Sequence, residues 1–481
     1  MNAAATPPRK IFAGPRLKRL RRERQLTQAA MAAELDISPS YLNLMERNQR
    51  PITVQVLIRL TDVYGIDPRD FMEVEGDHSA GEIEQILADP LFREGGVPRA
   101  EVRDAAENSP ALLAAMARLY RAYSAAREAT EAGAAGGADR DRTEPVLGES
   151  PIDRIRAILH EARNHFSELE EAAETFASEL ALNGNDLFSA LCEHLRARHG
   201  IRVRALPVEV MGDRLRWYDH HRRQLMISEI VEPPGRTFQA AYQLALSQFG
   251  ELLNAIAAQL EPNDDLSRRL LRINLANYFA GAVMMPYGRF HEAAELASYD
   301  VEILAARFGA SFEQVAHRLT TLARQTARGV PFFLVRVDMA GNVSKRFSSS
   351  RFPFAHSGGT CPLWNIHATF AEPARILTQV IELNDGSQWF SIARTVRRSL
   401  TPWGAIEPRF AIGLGCEIKY ARRLVYAKRL DFNALEATPI GINCRLCDRP
   451  ACPQRAAPPA LRRLLVDESM RSISPFTFKD V

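Results

Sequence analysis

The stretch LTQAAMAAELDISPSYLNLMERNQR (Leu26–Arg50) decides how the chain begins to fold. Thr27 stands where a helix N-cap belongs, and good helix formers follow it. Asp36-Ile37 interrupts them, and Ser38-Pro39 starts again as cap and first-turn residue. This predicts one short helix from Gln28 to about Leu35 and a second reaching about Glu46. Around them Leu17, Leu20, Leu26, Met31, Leu35, Ile37, Leu42, Met45, Val56, Leu57 and Leu60 recur at the spacing of a small helical bundle. Two short helices joined by a tight turn within such a bundle form a helix-turn-helix, whose second helix enters a DNA major groove by its N-terminal end. That assigns Ser38, Pro39, Ser40, Tyr41, Asn43 and Leu44 to the exposed face. Asn43 suits an adenine edge, and Ser40 and Tyr41 suit phosphate or a thymine methyl. Gln28 would bridge phosphate and base, with Arg47, Asn48 and Arg50 meeting phosphate in the following loop.

Charge is distributed to match. The formal net charge is only +3, from 61 Lys+Arg and 58 Asp+Glu. Residues 1–72 nevertheless hold twelve basic and seven acidic side chains, a +5 segment that leaves −2 for the rest. A basic head on a near-neutral body suits a polyanion-binding unit attached to something with another task. The 481 residues exceed what one core usually organises, which points to two to four domains. No run approaches the roughly twenty apolar residues of a membrane span, and Met1 to Lys10 lacks the apolar core of a secretory leader. Six cysteines are too sparse for a secreted disulfide framework. A cytoplasmic protein is expected.

Further along, residues 73–124 read as helical, with Leu112, Leu113, Met116, Leu119 and Tyr120 at helical spacing. Glu128 to Ser150 is rich in Gly, Ala and charge, which makes it the linker. Ser150 and Pro151 then open a helix striped by Ile155, Ile158, Leu159, Ala162 and Phe166. Strands are expected over Ile201–Val210, Arg214–Asp219 and Arg223–Val231, with helices near 236–258, 266–284 and 311–326. From Val330 the pattern turns to hairpins, one turning at Ala340-Gly341-Asn342 and another at Asn384-Asp385-Gly386. The expected division is 9–75, a helical connector 76–127, a linker 128–150, a central domain 151–328 and a β-rich domain 329–475.

The first stretch resembles the Xre/Cro/phage-repressor helix-turn-helix family over residues 14–72. The runs RTFQAAYQLALSQFG and RINLANYFAGAVMMPYGRF resemble the ImmA/IrrE metallopeptidase family. That family carries His-Glu-x-x-His on one helix and a glutamate just before Ala-Asn-x-Phe-Ala, so that two histidines a turn apart share a zinc beside a glutamate base. Here Tyr242, Gln243 and Leu246 stand at the three helix positions and Leu275 at the last. Leucine cannot ligate and glutamine cannot take a proton. Asn277, Phe279, Ala280, Met285 and Pro286 keep the scaffold signature, so the resemblance implies a degenerate peptidase fold kept for its cavity, without catalytic residues. His220, His221, His291 and His317 lack ligand spacing and are expected in packing or polar roles.

Cys444, Cys447 and Cys452 fall within nine residues of a turn-rich segment, with Cys361 and Cys416 upstream. Clustered thiolates suit an iron–sulfur cluster or zinc. Cys361, in a Gly-rich loop, is the preferred fourth ligand; Cys416, Asp448 and His356 are the alternatives. Free thiols or a redox dithiol at Cys444/Cys447 is the competing reading, and Cys192 is expected as a buried small hydrophobe.

In this order the parts resemble the short-chain fatty acyl-CoA regulator family over nearly the whole chain, through ANYFAGAVMMPY, FGASFEQVAHRLTTL, GVPFFLVRVDMAGNVSKRF and PIGINCRLCDRPACPQRA. The resemblance implies a multidomain, mainly α with α+β architecture. It comprises an N-terminal lambda-repressor-like helical bundle, a central degenerate zincin-like α+β domain and a C-terminal β-rich domain. It also implies a bacterial transcriptional regulator of propionate- or acetate-type metabolism, binding double-stranded operator DNA as a homodimer or higher oligomer with acyl-CoA as effector. Lys345, Arg346 and Arg394, beside the hairpins, are the basic residues available for effector phosphates. An iron–sulfur or redox sensor is the alternative function, and a metallopeptidase is disfavoured because its ligands are missing.

Overall fold

Capping chemistry sets the first helices of the computed structural model. These are α1 (Gly14–Glu23), α2 (Gln28–Glu34), α3 (Pro39–Glu46) and α4 (Val54–Tyr64). The Thr27 hydroxyl accepts from the Ala30 N–H and the Ser38 hydroxyl from the Tyr41 N–H, both at 3.1 Å. Asp36, between the helices, takes a left-handed φ of 52°. Leu17, Met31, Leu35, Leu42, Met45, Val56, Leu57 and Leu60 are buried together, as expected, and Ile52 joins them. Among these apolar residues lies a carboxylate the hydrophobic pattern does not announce. Glu46 is buried and held by both ends of the Arg21 guanidinium, at 2.6 and 3.1 Å. Burial alone would raise its pKa; hydrogen bonds from Arg21 and Gln28 more than offset this and hold it low.

The structure describes residues 14–64 except 25 and 48, parts of 81–124, and 151–478 except 182–185, 351, 355–359, 398–399, 433, 460–461, 463 and 475. The expected linker, Asn48 and His356 lie outside the described residues. The chain separates into two units, Met1–Leu147 and Gly148–Val481. In the first, beyond α4, Arg99–Asn108 and residues 112–120 are helical.

The second unit opens with α5 (Pro151–Glu161), α6 (Ser167–Ala181) and α7 (Leu187–His199). A small sheet follows, of β1 (Arg202–Leu206), β2 (Arg216–Asp219) and β3 (Gln224–Ser228), in the order β1-β3-β2. β1 is parallel and β2 antiparallel to β3. The first strand ends earlier than expected: Pro207, which has no N–H to donate, closes it, and Val208–Met211 forms one helical turn. The helix expected near 236–258 is two, α8 (Pro233–Gln248) and α9 (Gly250–Leu260), broken where Phe249 leaves helical geometry at φ −109°, ψ 17°. α10 (Asp265–Met284) runs through the core, burying Leu271, Leu275, Tyr278, Phe279 and Val283 against α6, α8 and α9.

α11 (Tyr287–Leu296), α12 (Val301–Phe308) and α13 (Phe312–Leu319) follow. Ser311 and Gln314 form a reciprocal capping box at the start of α13, which ends at Leu319 rather than near 326. Both α12 and α13 are packed into core. The two expected hairpins form: β4 (Phe333–Asp338) with β5 (Val343–Ser348), and β6 (Leu377–Glu382) with β7 (Gln388–Val396). A strand that the sequence reading did not identify, β8 (Phe410–Glu417), joins them, and β9 (Thr438–Pro439) completes the order β5-β4-β8-β7-β6-β9. Alternation along these strands buries both faces. Leu334, Phe390, Ile412 and Leu414 pack with Phe290, Leu304 and Val315 of the helices. Phe333, Val335, Trp389 and Ala411 pack on the other side with Phe352, Trp364 and Ile366.

A buried polar network pins these helices. Arg318, 2% exposed, donates to both Glu170 oxygens at 2.5 and 2.7 Å and to the Met285 carbonyl at 2.9 Å. The Tyr278 hydroxyl donates to Glu170 at 2.5 Å.

Candidate functional site

Among the described residues three places carry chemistry: the start of α3, the former catalytic cleft of the peptidase-like part, and the C-terminal cysteine loop.

At the first, Ser38, Pro39 and Ser40 are exposed at the N-terminus of α3, and Arg47 and Arg50 are exposed just beyond its end. Tyr41 is half-buried against the bundle core, and Leu44 is likewise half-buried. Gln28 and Asn43 face one another: Gln28 Nε2 donates to Glu46 at 2.7 Å and lies 3.4 Å from Asn43 Oδ1. Glu46, expected only as the end of its helix, positions Gln28 directly and Asn43 only through Gln28. A carboxylate inside an otherwise apolar helix face was the available signal.

In the second unit Tyr242, Gln243 and Leu246 lie on α8, and Leu275, fully buried, faces them from α10. None is a metal ligand or a base. Leu246 packs on the core, and Tyr242 lies beneath the Arg216 guanidinium, 4.8 Å from its carbon. Gln243 accepts a hydrogen bond from Arg216 and donates to Ser247 at 3.0 Å. Burial lowers the Arg216 pKa and raises that of the Tyr242 phenol. His220 packs edge-on to Tyr218, His291 stacks on Tyr287, and half-buried His317 packs edge-on to Phe347. Among the described residues no group of three or more His, Cys, Asp or Glu side chains is arranged to hold a metal ion.

The cysteines separate by sheet face. Cys361 belongs to the Phe333–Trp389 core, and its thiol is pushed up by burial while accepting hydrogen bonds from the Gly441 and Leu363 N–H groups. It also interacts electrostatically with Cys447 and Cys444. Cys444 accepts from the Ala456 N–H at 3.5 Å, and Cys447 lies 3.6 Å from Asn384 Oδ1. Arg455, 4% exposed, donates to the Cys444 and Cys447 carbonyls at 3.1 and 3.0 Å, and the Cys452 carbonyl accepts the Arg455 N–H. Cys416 lies on the opposite face, in the helix-covered core, where burial raises its pKa strongly. It is therefore separated from Cys361 by the sheet. Asp448 is paired with Arg462, and half-buried Cys192 on α7 has its pKa raised to about 11 by burial. The hairpin cations expected to serve phosphate are engaged instead: Lys345 pairs with Glu313 at 2.7 Å and Arg394 with Glu302 at 2.9 Å.

A DNA-reading helix pair joined to a peptidase fold whose ligand positions hold Tyr242, Gln243, Leu246 and Leu275 defines a class. It is a helix-turn-helix transcriptional regulator carrying a degenerate, non-catalytic IrrE-like part. Family models match the same three regions: helix-turn-helix over residues 17–71, IrrE N-terminal-like domain over 196–320, and short-chain fatty acyl coenzyme A regulator, C-terminal, over 321–476. The chain is 39% identical over 479 residues to the HTH-type transcriptional regulator RamB of Mycobacterium tuberculosis, covering 98% of this chain and 100% of that one. It is 39% identical over 471 residues to the propionyl-CoA carboxylase regulator of Cereibacter sphaeroides, covering 98% and 99%. A solved Mycobacterium tuberculosis transcriptional regulator superposes with a TM-score of 0.65 at 38% identity, covering 68% of this chain and all of that one. The chain belongs to the short-chain fatty acyl-CoA regulator family of transcription factors. No described helix is long and apolar enough to cross a membrane.

Proposed function

We propose that the chain is a cytoplasmic, sequence-specific regulator of genes for short-chain acyl-CoA (propionate- or acetate-type) metabolism. In this reading it binds a palindromic operator as a homodimer and answers to an acyl-CoA effector. The observation that carries the DNA half is the exposed Ser38-Pro39-Ser40 start of α3, held by the buried Arg21–Glu46 pair with Gln28 and Asn43 alongside. Gln28, Ser38, Pro39, Ser40, Tyr41, Asn43, Arg47, Asn48 and Arg50 form the contact set. The effector half is supported by the family alone, with sensing assigned to the second unit through its different affinity for two states. The functional division is 9–75 for DNA, 76–150 as connector and linker, 151–328 as the peptidase-derived part and 329–475 as the cysteine-bearing part.

The test is anisotropy titration of the full chain against duplexes from upstream of propionyl-CoA carboxylase or acetate-activation genes. Arg47→Ala and Arg50→Ala should each reduce the slope of log affinity on log salt by about 1. Asn43→Ala should instead flatten the preference among operator variants. A shift of operator affinity by propionyl-CoA or acetyl-CoA supports the effector; identical curves with and without both contradict it.

A second reading is favoured by the mutual proximity of Cys361, Cys444 and Cys447 and by the N–H donors aimed at their sulfurs. Cys361, Cys444, Cys447 and Cys452 are the ligand set for an iron–sulfur cluster or zinc. Binding requires the loop to draw their sulfurs closer than they stand in the structure and would make it a redox-responsive or structural centre. A cluster would supply oxidation-state sensitivity; zinc would supply rigidity. Anaerobic purification with metal analysis and a visible spectrum distinguishes them. Iron with absorption lost on Cys447→Ala supports the cluster, and metal-free protein contradicts both.

A further inference from the structure

One buried charge in the second unit has no opposite. Six charged side chains are buried among the described residues: Glu46, Glu170, Glu261, Arg318, Arg336 and Arg455. Five of them are ion-paired: Glu46 with Arg21, Glu170 with Arg318, Glu261 with Arg154 and Arg336 with Glu313. Arg455, 4% exposed, has no carboxylate partner among the described residues. Its guanidinium donates instead to four carbonyls, those of Cys444, Cys447, Arg449 and Ala457, at 2.6–3.3 Å. Its Nε is buried without a hydrogen-bond partner, and the guanidinium carbon lies 5.1 Å from the centre of the Phe478 ring. Carbonyl dipoles and a ring face lower the cost of a buried cation but leave its charge uncancelled.

Arg455 sits on the loop that carries the clustered thiols. Cys444 and Cys447 present their carbonyls to its guanidinium and Cys452 accepts its N–H, so three cysteines hang on one arginine. The only carboxylate between Gly441 and Ala456, Asp448, is paired with Arg462 at 3.3 Å. The sulfurs fit a metal by their donor chemistry, and two further observations agree. The Ala456 N–H donates to Cys444 Sγ at 3.5 Å, which favours a thiolate there. A Cβ at Gly441 would stand 2.6 Å from Cys447 Cβ and 2.9 Å from its sulfur, so the wall beside that thiol has to be glycine. Four thiolates carry more negative charge than a divalent metal cancels, and a cluster held by four thiolates is likewise anionic. The cation that lacks an anion and the donors that would gather one thus share a single loop.

We infer that Arg455 is the counter-cation of an anionic metal–thiolate centre formed by Cys361, Cys444, Cys447 and Cys452. It is a positioning residue that acts on the metal by its charge as well as by holding the cysteine carbonyls. The inference rests on the metal reading of the cysteine loop given above. Arg449 is the contrast. It ties the same loop to β6 through the Glu382 and Leu383 carbonyls, at 2.8 and 3.0 Å, but its charge already has a partner in the Glu382 carboxylate at 3.5 Å.

The test is titration of the full chain, stripped of metal and kept reduced under anaerobic conditions, with cobalt(II) and with zinc in competition, read by thiolate-to-cobalt absorption. Arg455→Gln should weaken binding of both metals about tenfold or more, as the loss of an outer-shell partner does. Arg455→Lys keeps the charge but loses the planar fork, and should stay within about threefold of the wild type, as should Arg449→Gln. A carbonyl clamp without an electrostatic role predicts otherwise: lysine cannot span four carbonyls, so Arg455→Lys would fail like Arg455→Gln. Folding of each metal-free variant is read from its melting temperature. Should Arg455→Gln not fold, Arg455→Lys decides alone, and a roughly tenfold loss there overturns the inference. If the loop takes iron and sulfide rather than zinc, Arg455→Gln should lower the reduction potential and Arg455→Lys should leave it near the wild-type value, because a nearby positive charge favours the more negative reduced state. Unchanged affinity and potential in Arg455→Gln would overturn the inference and leave the metal reading intact. A wild-type chain that takes up neither cobalt, zinc nor iron overturns both.

Discussion

Glu170 and Arg318 show what a single buried pair does for this fold. Burial would push the Glu170 carboxyl up, yet Arg318 and Tyr278 more than offset that and hold it below the ordinary carboxylate value. Replacing it by Glu170→Gln strands a buried guanidinium, and urea unfolding at neutral pH should show a loss of about 3–5 kcal/mol. His317 adds a second pH dependence. Burial, with Lys345 nearby, lowers its pKa to about 3, so the folded state prefers neutral imidazole. Its stabilising contribution is complete above the unfolded value near 6.5 and falls as pH drops toward 3, by about 1.4 kcal/mol per unit. The Glu170 contribution fades only below the ordinary carboxylate range. Burial lowers the His160, His165 and His367 pKa values as well, so unfolding midpoints between pH 7 and 5 should fall in the wild type and fall less steeply in His317→Phe. Neither residue was legible as part of a network: a glutamate and an arginine 148 positions apart carry no local signal, and only the fold brings them together.

At the scale of elements, capping gave reliable boundaries and glycine obscured one. Thr27, Ser38 and Ser311 each begin a helix where their residue type predicts, since the side-chain oxygen satisfies an otherwise unpaired N–H. Thr27→Ala should cost about 1 kcal/mol, read from the melting of the DNA-binding unit within the full chain. The hairpins were visible because Gly341 and Gly386 take the positive φ their turns require, 82° and 80°. β8 was missed because FAIGLGCE carries two glycines, which ordinarily weaken a strand. Packing demands them here: a Cβ on Gly415 would stand 2.5 Å from Phe333 Cζ and 2.7 Å from the Phe390 carbonyl oxygen. Gly415→Ala should thus destabilise the sheet by about 1–3 kcal/mol in denaturant titration, against a few tenths for an exposed site. The break at Phe249 was equally hidden, since α8 and α9 share one apolar periodicity across it.

For the whole molecule, the +3 net charge hid a +5 head on a −2 body, and that division corresponds to a named DNA-reading motif. The helix-turn-helix was legible almost residue by residue, because its signals are local caps and short-range apolar spacing. The loss of peptidase chemistry was legible too, since it needs only four positions to be identified. The arginine-lined cleft was not: Arg198, Arg216, Arg223 and Arg272 are scattered in sequence and converge only through β2, α7 and α10. In the proposed function this chain reads operator DNA through α3. This is tested most directly by titrating the full chain with a labelled operator duplex and a scrambled duplex over a range of salt. The operator should be preferred by at least about 10³-fold, affinity should fall steeply with salt, and the preference should collapse in Ser40→Ala/Asn43→Ala. Equal binding to both duplexes, or a preference that the double substitution leaves intact, would contradict it.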